Sequence, residues 1–282
     1  MNARLAGSLA VAVGLALGLA LGLALGFASR QPHVYCLMVT GKSPKRTELA
    51  VGSARNFLQQ EGYPANKLHM IIVNHGASQV RPRLGETRDH EIQEVMVDKG
   101  GRTLGDLRNI ALGMVPDGAV WMTWDDDDVR HPTYIARVCQ ELRRARADAL
   151  MVMNRLEYNT ASRTAWRSRL DDGFYWFVVK KNARTRDLRY DPLDTHEDGV
   201  IKREIQRRVR YTLYDNPASM YVRVIHGDNT SRYVDQTQTG PRPKYMRGTR
   251  AYHEVHATPL EKEYVQQVVQ AQYGGTLRPA HP

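Results

Sequence analysis

Cysteine is scarce in this chain, with only Cys36 and Cys139 among 282 residues. Both stand in apolar stretches and neither has a partner at metal-binding spacing. A thiolate-held metal cluster is therefore excluded, and two buried free thiols are expected rather than a disulfide. Zinc-finger spacing is absent, as is any basic repeat interleaved with aromatics of the kind RNA-binding sheets use, so no nucleic-acid partner is expected. Long apolar runs are lacking too, with one exception. Residues 5–28 read LAGSLAVAVGLALGLALGLALGFA, without a charge and with a single hydroxyl.

At about 1.5 Å of rise per residue, a helix over that run matches the thickness of a bilayer's hydrocarbon core. A secretory signal has an apolar stretch of roughly 7–15 residues. The run therefore predicts an uncleaved signal anchor, one transmembrane helix holding the protein in a secretory-pathway or cell membrane; cleavage near Gly26-Phe27-Ala28 is the alternative. By charge bias alone, Arg4 on one flank against Arg30, Lys42, Lys45 and Arg46 on the other would put the body on the cytoplasmic side, which leaves the side open. The Asn229-Thr230-Ser231 sequon, by contrast, is usable only in a lumen. Gly14, Gly18, Gly22 and Gly26 share one helix face, which suits close helix packing in a homodimer.

The remaining composition is that of a globular protein, 42% hydrophobic and 25% charged, with a net charge of +10. That balance admits an anionic membrane surface or a phosphate-bearing substrate. Basic runs such as KREIQRRVR at 202–210 also read as solvated helix faces. Strand-like apolar runs (34–39, 68–73, 94–98, 119–124, 149–153) alternate with helix-periodic segments (45–61, 103–114, 134–146). Thr103 and Asp106 stand at capping-box spacing, and Ile135, Val138, Cys139 and Leu142 recur on one helical face. Such alternation predicts an α/β fold with a mostly parallel central sheet and helices on both faces. Beyond Asn154 the pattern loosens into strands at 174–179 and 220–225 and a basic helix near 200–208, which complete the same domain. The chain divides into an anchor and linker (1–33), a domain (34–233) and a basic tail with one helix at 260–272 (234–282).

The chemistry concentrates at VWMTWDDDDVRHP, where an apolar strand runs into Asp125, Asp126, Asp127 and Asp128. Like charges so crowded need water or a partner. In parallel α/β sheets ligands bind at the carboxyl ends of strands, which is where these carboxylates fall. Hard oxygen ligands suit Mg2+ or Mn2+, with substrate phosphates completing the shell, so a divalent cation carrying a diphosphate is the expected visitor. An acidic turn capping the next helix is the bland alternative.

The stretch resembles the strand of family 2 glycosyltransferases of GT-A fold, which ends in Asp-x-Asp-Asp followed by Pro and an aromatic, here Pro132 and Tyr134. LGDLRNIAL (104–112) is similar to that family's Gly-x-x-x-Arg-Asn helix, with Gly105 one position closer to Arg108. YDPLDTHEDGV carries a Glu-Asp pair, Glu197-Asp198, and MYVRVIHGDNTS resembles a late strand-plus-histidine element. The resemblance spans roughly residues 34–231. It implies a GT-A-like, hexosyltransferase-like enzyme that moves a sugar from a nucleotide-diphosphate donor to a glycan, lipid or protein acceptor, with Mn2+ or Mg2+ and inversion. Asp198 would be the general base. Thr40, Asn74, Arg108, Asp125, Asp126 and Glu197 would bind donor or substrate, and Asp127, Asp128 and His226 would hold the metal. One departure stands out: IIVNHGAS places Asn74 and His75 where members carry acidic residues against the base. Rival readings of the quartet are a haloacid-dehalogenase-type phosphatase (Asp125-x-Asp127), a nucleotidyltransferase opening at TGKSPKR, and a non-catalytic membrane-tethered carbohydrate- or cation-binding domain.

Overall fold

The computed structural model describes residues 31–41, 43–87, 89–226, 229, 252–274 and 276. The apolar run 5–28, with its anchor and glycine stripe, lies outside the described residues. Among the described residues no helix is long and apolar enough to cross a membrane.

The first half alternates as its apolar runs predict: β1 (Val34–Thr40), α1 (Pro44–Leu58), β2 (Leu68–Asn74), β3 (Glu91–Met96), α2 (Leu104–Gly113), β4 (Val120–Thr123), β5 (Val129–Arg130), α3 (Tyr134–Arg144) and β6 (Ala149–Val152). Then follow β7 (Asn154–Asn159), β8 (Thr164–Leu170), β9 (Phe177–Lys180), α4 (Asp198–Arg208), β10 (Tyr211–Tyr214), β11 (Tyr221–Ile225), β12 (Tyr252–His256) and α5 (Pro259–Tyr273). Seven strands form the main sheet in the order β10-β6-β9-β4-β1-β2-β3. Every neighbouring pair in it is parallel except the two made by β9. The strand expected at 94–98 starts earlier, at Glu91, because its pairing with β2 runs from His69↔Glu91 to Asn74↔Met96. At this sheet edge polar residues are tolerated, which hides the strand's beginning.

Strands buried on both faces read as near-continuous apolar runs, and the two cores show why. Val34, Cys36 and Met38 of β1 pack with Ala50, Ala54 and Phe57 of α1 and with Tyr134, Ile135, Val138 and Leu142 of α3. Leu37 points the other way, into a core with Leu107 and Ala111 of α2 and Ile201 and Ile205 of α4. Helices thus cover both faces. Each large apolar side chain so buried contributes about 1.5–3 kcal/mol before entropy is counted. Cys36 is buried and Cys139 half-buried at the rim of the first core; both are free thiols.

A second, five-stranded sheet runs β12-β8-β7-β11-β5. The segment read as a tail supplies its edge strand β12 and helix α5, whose Val265, Val269 and Tyr273 pack on Leu49, Val129, Leu156 and Val224. Thr258 and Glu261 cap α5 reciprocally, with Pro259 in the first turn.

Candidate active site

Residues 124–128 carry the chain out of the main sheet at β4 and into the second sheet at β5. The four aspartates therefore sit at the crossover between the sheets, beside the carboxyl end of β1. Their backbone is pinned from both flanking helices. Ser53 of α1 donates its hydroxyl to the Asp125 carbonyl at 2.9 Å. From α5, the Gln272 amide and the Tyr273 hydroxyl each donate to the Asp128 carbonyl at 3.1 Å. Gly52 lets α5 come this close, since a Cβ there would lie 2.7 Å from the Tyr273 ring.

The four carboxylates occupy four different environments. Asp125 accepts from Arg108 at 3.1 Å and from the Trp176 indole at 2.8 Å. Asp126 is buried, accepts from the Thr40 hydroxyl at 2.7 Å and pairs with the Arg46 guanidinium. Burial pushes its carboxyl up to about 6 against the pull of Arg46. Asp127 meets Arg46 Nη1 at 2.7 Å, His226 Nε2 at 3.2 Å and the Asn229 amide at 3.2 Å. Burial alone would raise it, but Arg46 and then His226 outweigh burial and hold it well below the carboxylate range. Asp128 accepts from the Tyr221 hydroxyl at 2.5 Å and from the Val224 amide at 3.0 Å. Burial, with Asp127 and Asp125 nearby, drives it up to about 7.

A second group of side chains comes from α2 and the start of α4, and LGDLRN can be read residue by residue. Gly105 touches the loop before α4: its amide donates to the Leu193 carbonyl at 3.0 Å, and a Cβ would fall 1.6 Å from the Asp191 oxygen. Asp106 closes the capping box with Thr103. Asn109 grips the Tyr190 backbone twice, at 2.9 Å each way. Arg108 is thereby aimed between Asp125 and Glu197, with its Nε 3.1 Å from Glu197 Oε1. Asp198, half-buried at the first turn of α4, has its carboxyl raised to about 6 by burial and then by Glu197.

The expected site residues fall into sets. Thr40 joins Asp126. Arg108 joins Asp125 to Glu197, with Asp198 close enough to feel all three charges. His226 joins Asp127. Asp128 joins Asp125 at the Tyr221 hydroxyl, which lies 2.5 Å from the first and 3.5 Å from the second. Asn74 stands apart: fully buried, it donates to Glu94 at 2.7 Å and to the Ser78 carbonyl at 2.9 Å, and accepts from the Gly76 amide at 2.8 Å. All of these bonds organise the loop after β2.

Magnesium typically takes one or two protein ligands and lets substrate phosphates complete its shell. Asp127 and His226, whose side chains meet at 3.2 Å, would offer a divalent cation one carboxylate and one imidazole nitrogen. Among the described residues no three His, Cys, Asp or Glu side chains converge on one point.

Four contacting residues escape a reading of sequence alone. Arg46 stands in TGKSPKR, one of three basic residues where the first strand gives way to a helix. Tyr221 and Asn229 lie within the late strand-plus-histidine stretch, Asn229 as a sequon whose amide is occupied by Asp127 and by the Val224 carbonyl at 3.0 Å. Trp176 offers no signal, being one aromatic in the apolar run just before β9.

No family model matches the chain, and no curated protein matches it in sequence. Solved structures share its fold. TarS 1–349 from S. aureus in complex with UDP-GlcNAc superposes with a TM-score of 0.54 at 12% identity, over 86% of this chain and 66% of that one. Its complex with UDP gives 0.52 at 12% identity, over 68% and 60%. A longer TarS structure gives 0.51 at 13% identity, over 68% of this chain and 36% of TarS. The chain thus corresponds to about two thirds or less of these proteins' length. What they share with it is a mixed α/β fold around a central sheet.

Proposed function

We propose that this protein transfers a hexose-like sugar from a nucleotide-diphosphate donor to an acceptor hydroxyl on a glycan, lipid or protein, with a divalent cation and inversion at the anomeric carbon. The observation that carries the reading is the bridge Asp125–Arg108–Glu197, which brings the first turn of α4, with Asp198, to the aspartate crossover. A fold shared with a protein crystallised with UDP and UDP-GlcNAc supports a nucleotide-sugar donor. The amino-terminal run would tether the domain to a membrane.

In this reading Asp127 and His226 hold Mn2+ or Mg2+, which when bound neutralises diphosphate charge and eases departure of the leaving group. Asp125, fixed by Arg108 and Trp176, accepts from donor hydroxyls. Asp198 removes the proton of the attacking acceptor hydroxyl. Its pKa near 6 leaves it ionised at neutral pH, yet basic enough to take a proton as the new bond forms. A single base of this kind gives direct displacement.

Two measurements test the proposal. UDP or GDP with Mn2+ should raise the melting temperature of the full chain; no shift with any nucleoside diphosphate under any metal counts against a nucleotide-sugar site. Asp198→Asn should keep donor binding and lose about 10²–10⁴-fold in transfer rate, whereas near-normal turnover removes Asp198 from the chemistry.

A further inference from the structure

The Arg46 side chain touches two members of the quartet, Asp126 and Asp127, and is the charged group that joins them. It projects from the first turn of α1, where Ser43 caps the helix by accepting from the Arg46 amide at 3.3 Å. Only 14% of its side chain is exposed. Its Nη1 lies 2.7 Å from Asp127 Oδ2, the same oxygen that faces His226 Nε2. A divalent cation bound between Asp127 and His226 would sit about 2.0–2.1 Å from its oxygen ligand. A guanidinium and a metal ion crowded on that one oxygen repel each other, so the two cations compete for it.

We infer that Arg46 is a resident counter-cation: it neutralises Asp127 in the free protein, gives up that carboxylate when the metal enters, and turns its guanidinium to the donor diphosphate. The inference rests on the transferase reading for its second half only. A planar guanidinium pairs bidentately with phosphate as readily as with carboxylate. Asp126, still paired with the other arm of Arg46 and with Thr40, keeps the side chain at the site during the exchange. The free site is thereby spared an uncompensated pair of carboxylates, and the cation binds well only when a diphosphate offers Arg46 a new partner.

The test is Mn2+ binding to the full chain, read by electron paramagnetic resonance without nucleotide. Arg46→Gln should bind Mn2+ at least about tenfold more tightly than the wild type, because a competing charge has gone. In saturating Mn2+ the same variant should bind UDP at least about fivefold more weakly, because a guanidinium–diphosphate contact has gone. Arg46→Lys keeps the charge but loses the fork, so it should fall between the two; it carries the test if the glutamine variant does not fold. Mn2+ affinity unchanged or weakened in both variants overturns the competition. Failure of the wild type to bind any nucleoside diphosphate sinks the transferase reading but leaves the Mn2+ comparison intact.

Discussion

Asp198 opens a helix, where a negative charge is ordinarily favourable, yet burial and the neighbouring charges of Glu197 and Asp125 raise its pKa to about 6. A base must be ionised to act, so kcat/KM should climb about tenfold per pH unit below 6 and level off above it. Glu197→Gln removes a like charge and should move that midpoint to lower pH; an unmoved midpoint would mean that another group titrates. Stability should show the converse. A carboxyl whose folded pKa is raised holds its proton more tightly in the folded state, so its contribution is full below the unfolded value and is lost as pH rises through about 6. Asp198→Asn should therefore be more stable than the wild type by about 1–2 kcal/mol at pH 8 and no more stable at pH 4, by thermal or urea unfolding. At this scale the sequence declares charge density but not pairing. Four adjacent aspartates announce a site, while Arg46, which meets two of them, looks like any basic residue after a strand.

Helix α2 shows how an element can carry several constraints in six residues. Gly105 permits contact with the loop before α4, Asp106 caps the helix, Asn109 holds Tyr190 and Arg108 faces the site. Gly105→Ala should consequently do more than fill space. With a methyl group 1.6 Å from a backbone oxygen, helix and loop must separate, at a cost of about 1–3 kcal/mol. The Arg108–Glu197 contact should loosen with them, so the variant should lose transfer activity beyond its loss of melting temperature. Activity that merely tracks stability would mean that the loop does not position Arg108. Elements of this parallel half are legible because buried strands are apolar throughout and helices repeat every three or four residues. The β7–β8 hairpin is not. NRLEYN is buried along its whole length, but it carries Arg155, Glu157 and Asn159 inside. Arg155 Nε donates to Glu157 at 2.7 Å and Ser168 donates to the same carboxylate at 2.9 Å across the strands. Polar groups satisfied by one another erase the alternation by which a strand is recognised. The antiparallel direction of β9 is equally silent, since strand orientation leaves no mark on an apolar run.

Across the whole molecule, the crossover at the aspartates joins two sheets that share their walls. Leu49 of α1 packs into the core of the five-stranded sheet, while Ala50, Val51 and Ala54 of the same helix pack into the core of the main sheet. Met220 and Tyr221 send the reverse connection from the second sheet into the first core. Arg130 sits at the junction, fully buried, its guanidinium 4.2 Å from the Trp124 ring and 4.7 Å from that of Tyr221. Neither sheet can lose its packing without exposing part of the other's core, so the domain should unfold as one cooperative unit. Leu156, wholly buried in the second sheet, provides the means to check this. Leu156→Ala should cost about 2–5 kcal/mol and shift the entire transition. Tryptophan fluorescence, read in a Trp166→Phe background so that Trp121, Trp124 and Trp176 report the cores of the main sheet, should then move together with far-ultraviolet circular dichroism, which reports both sheets. If the dichroism change splits into two steps while the fluorescence midpoint stays in place, the sheets are separately stable, and the aspartate turn is a hinge between them rather than a seam.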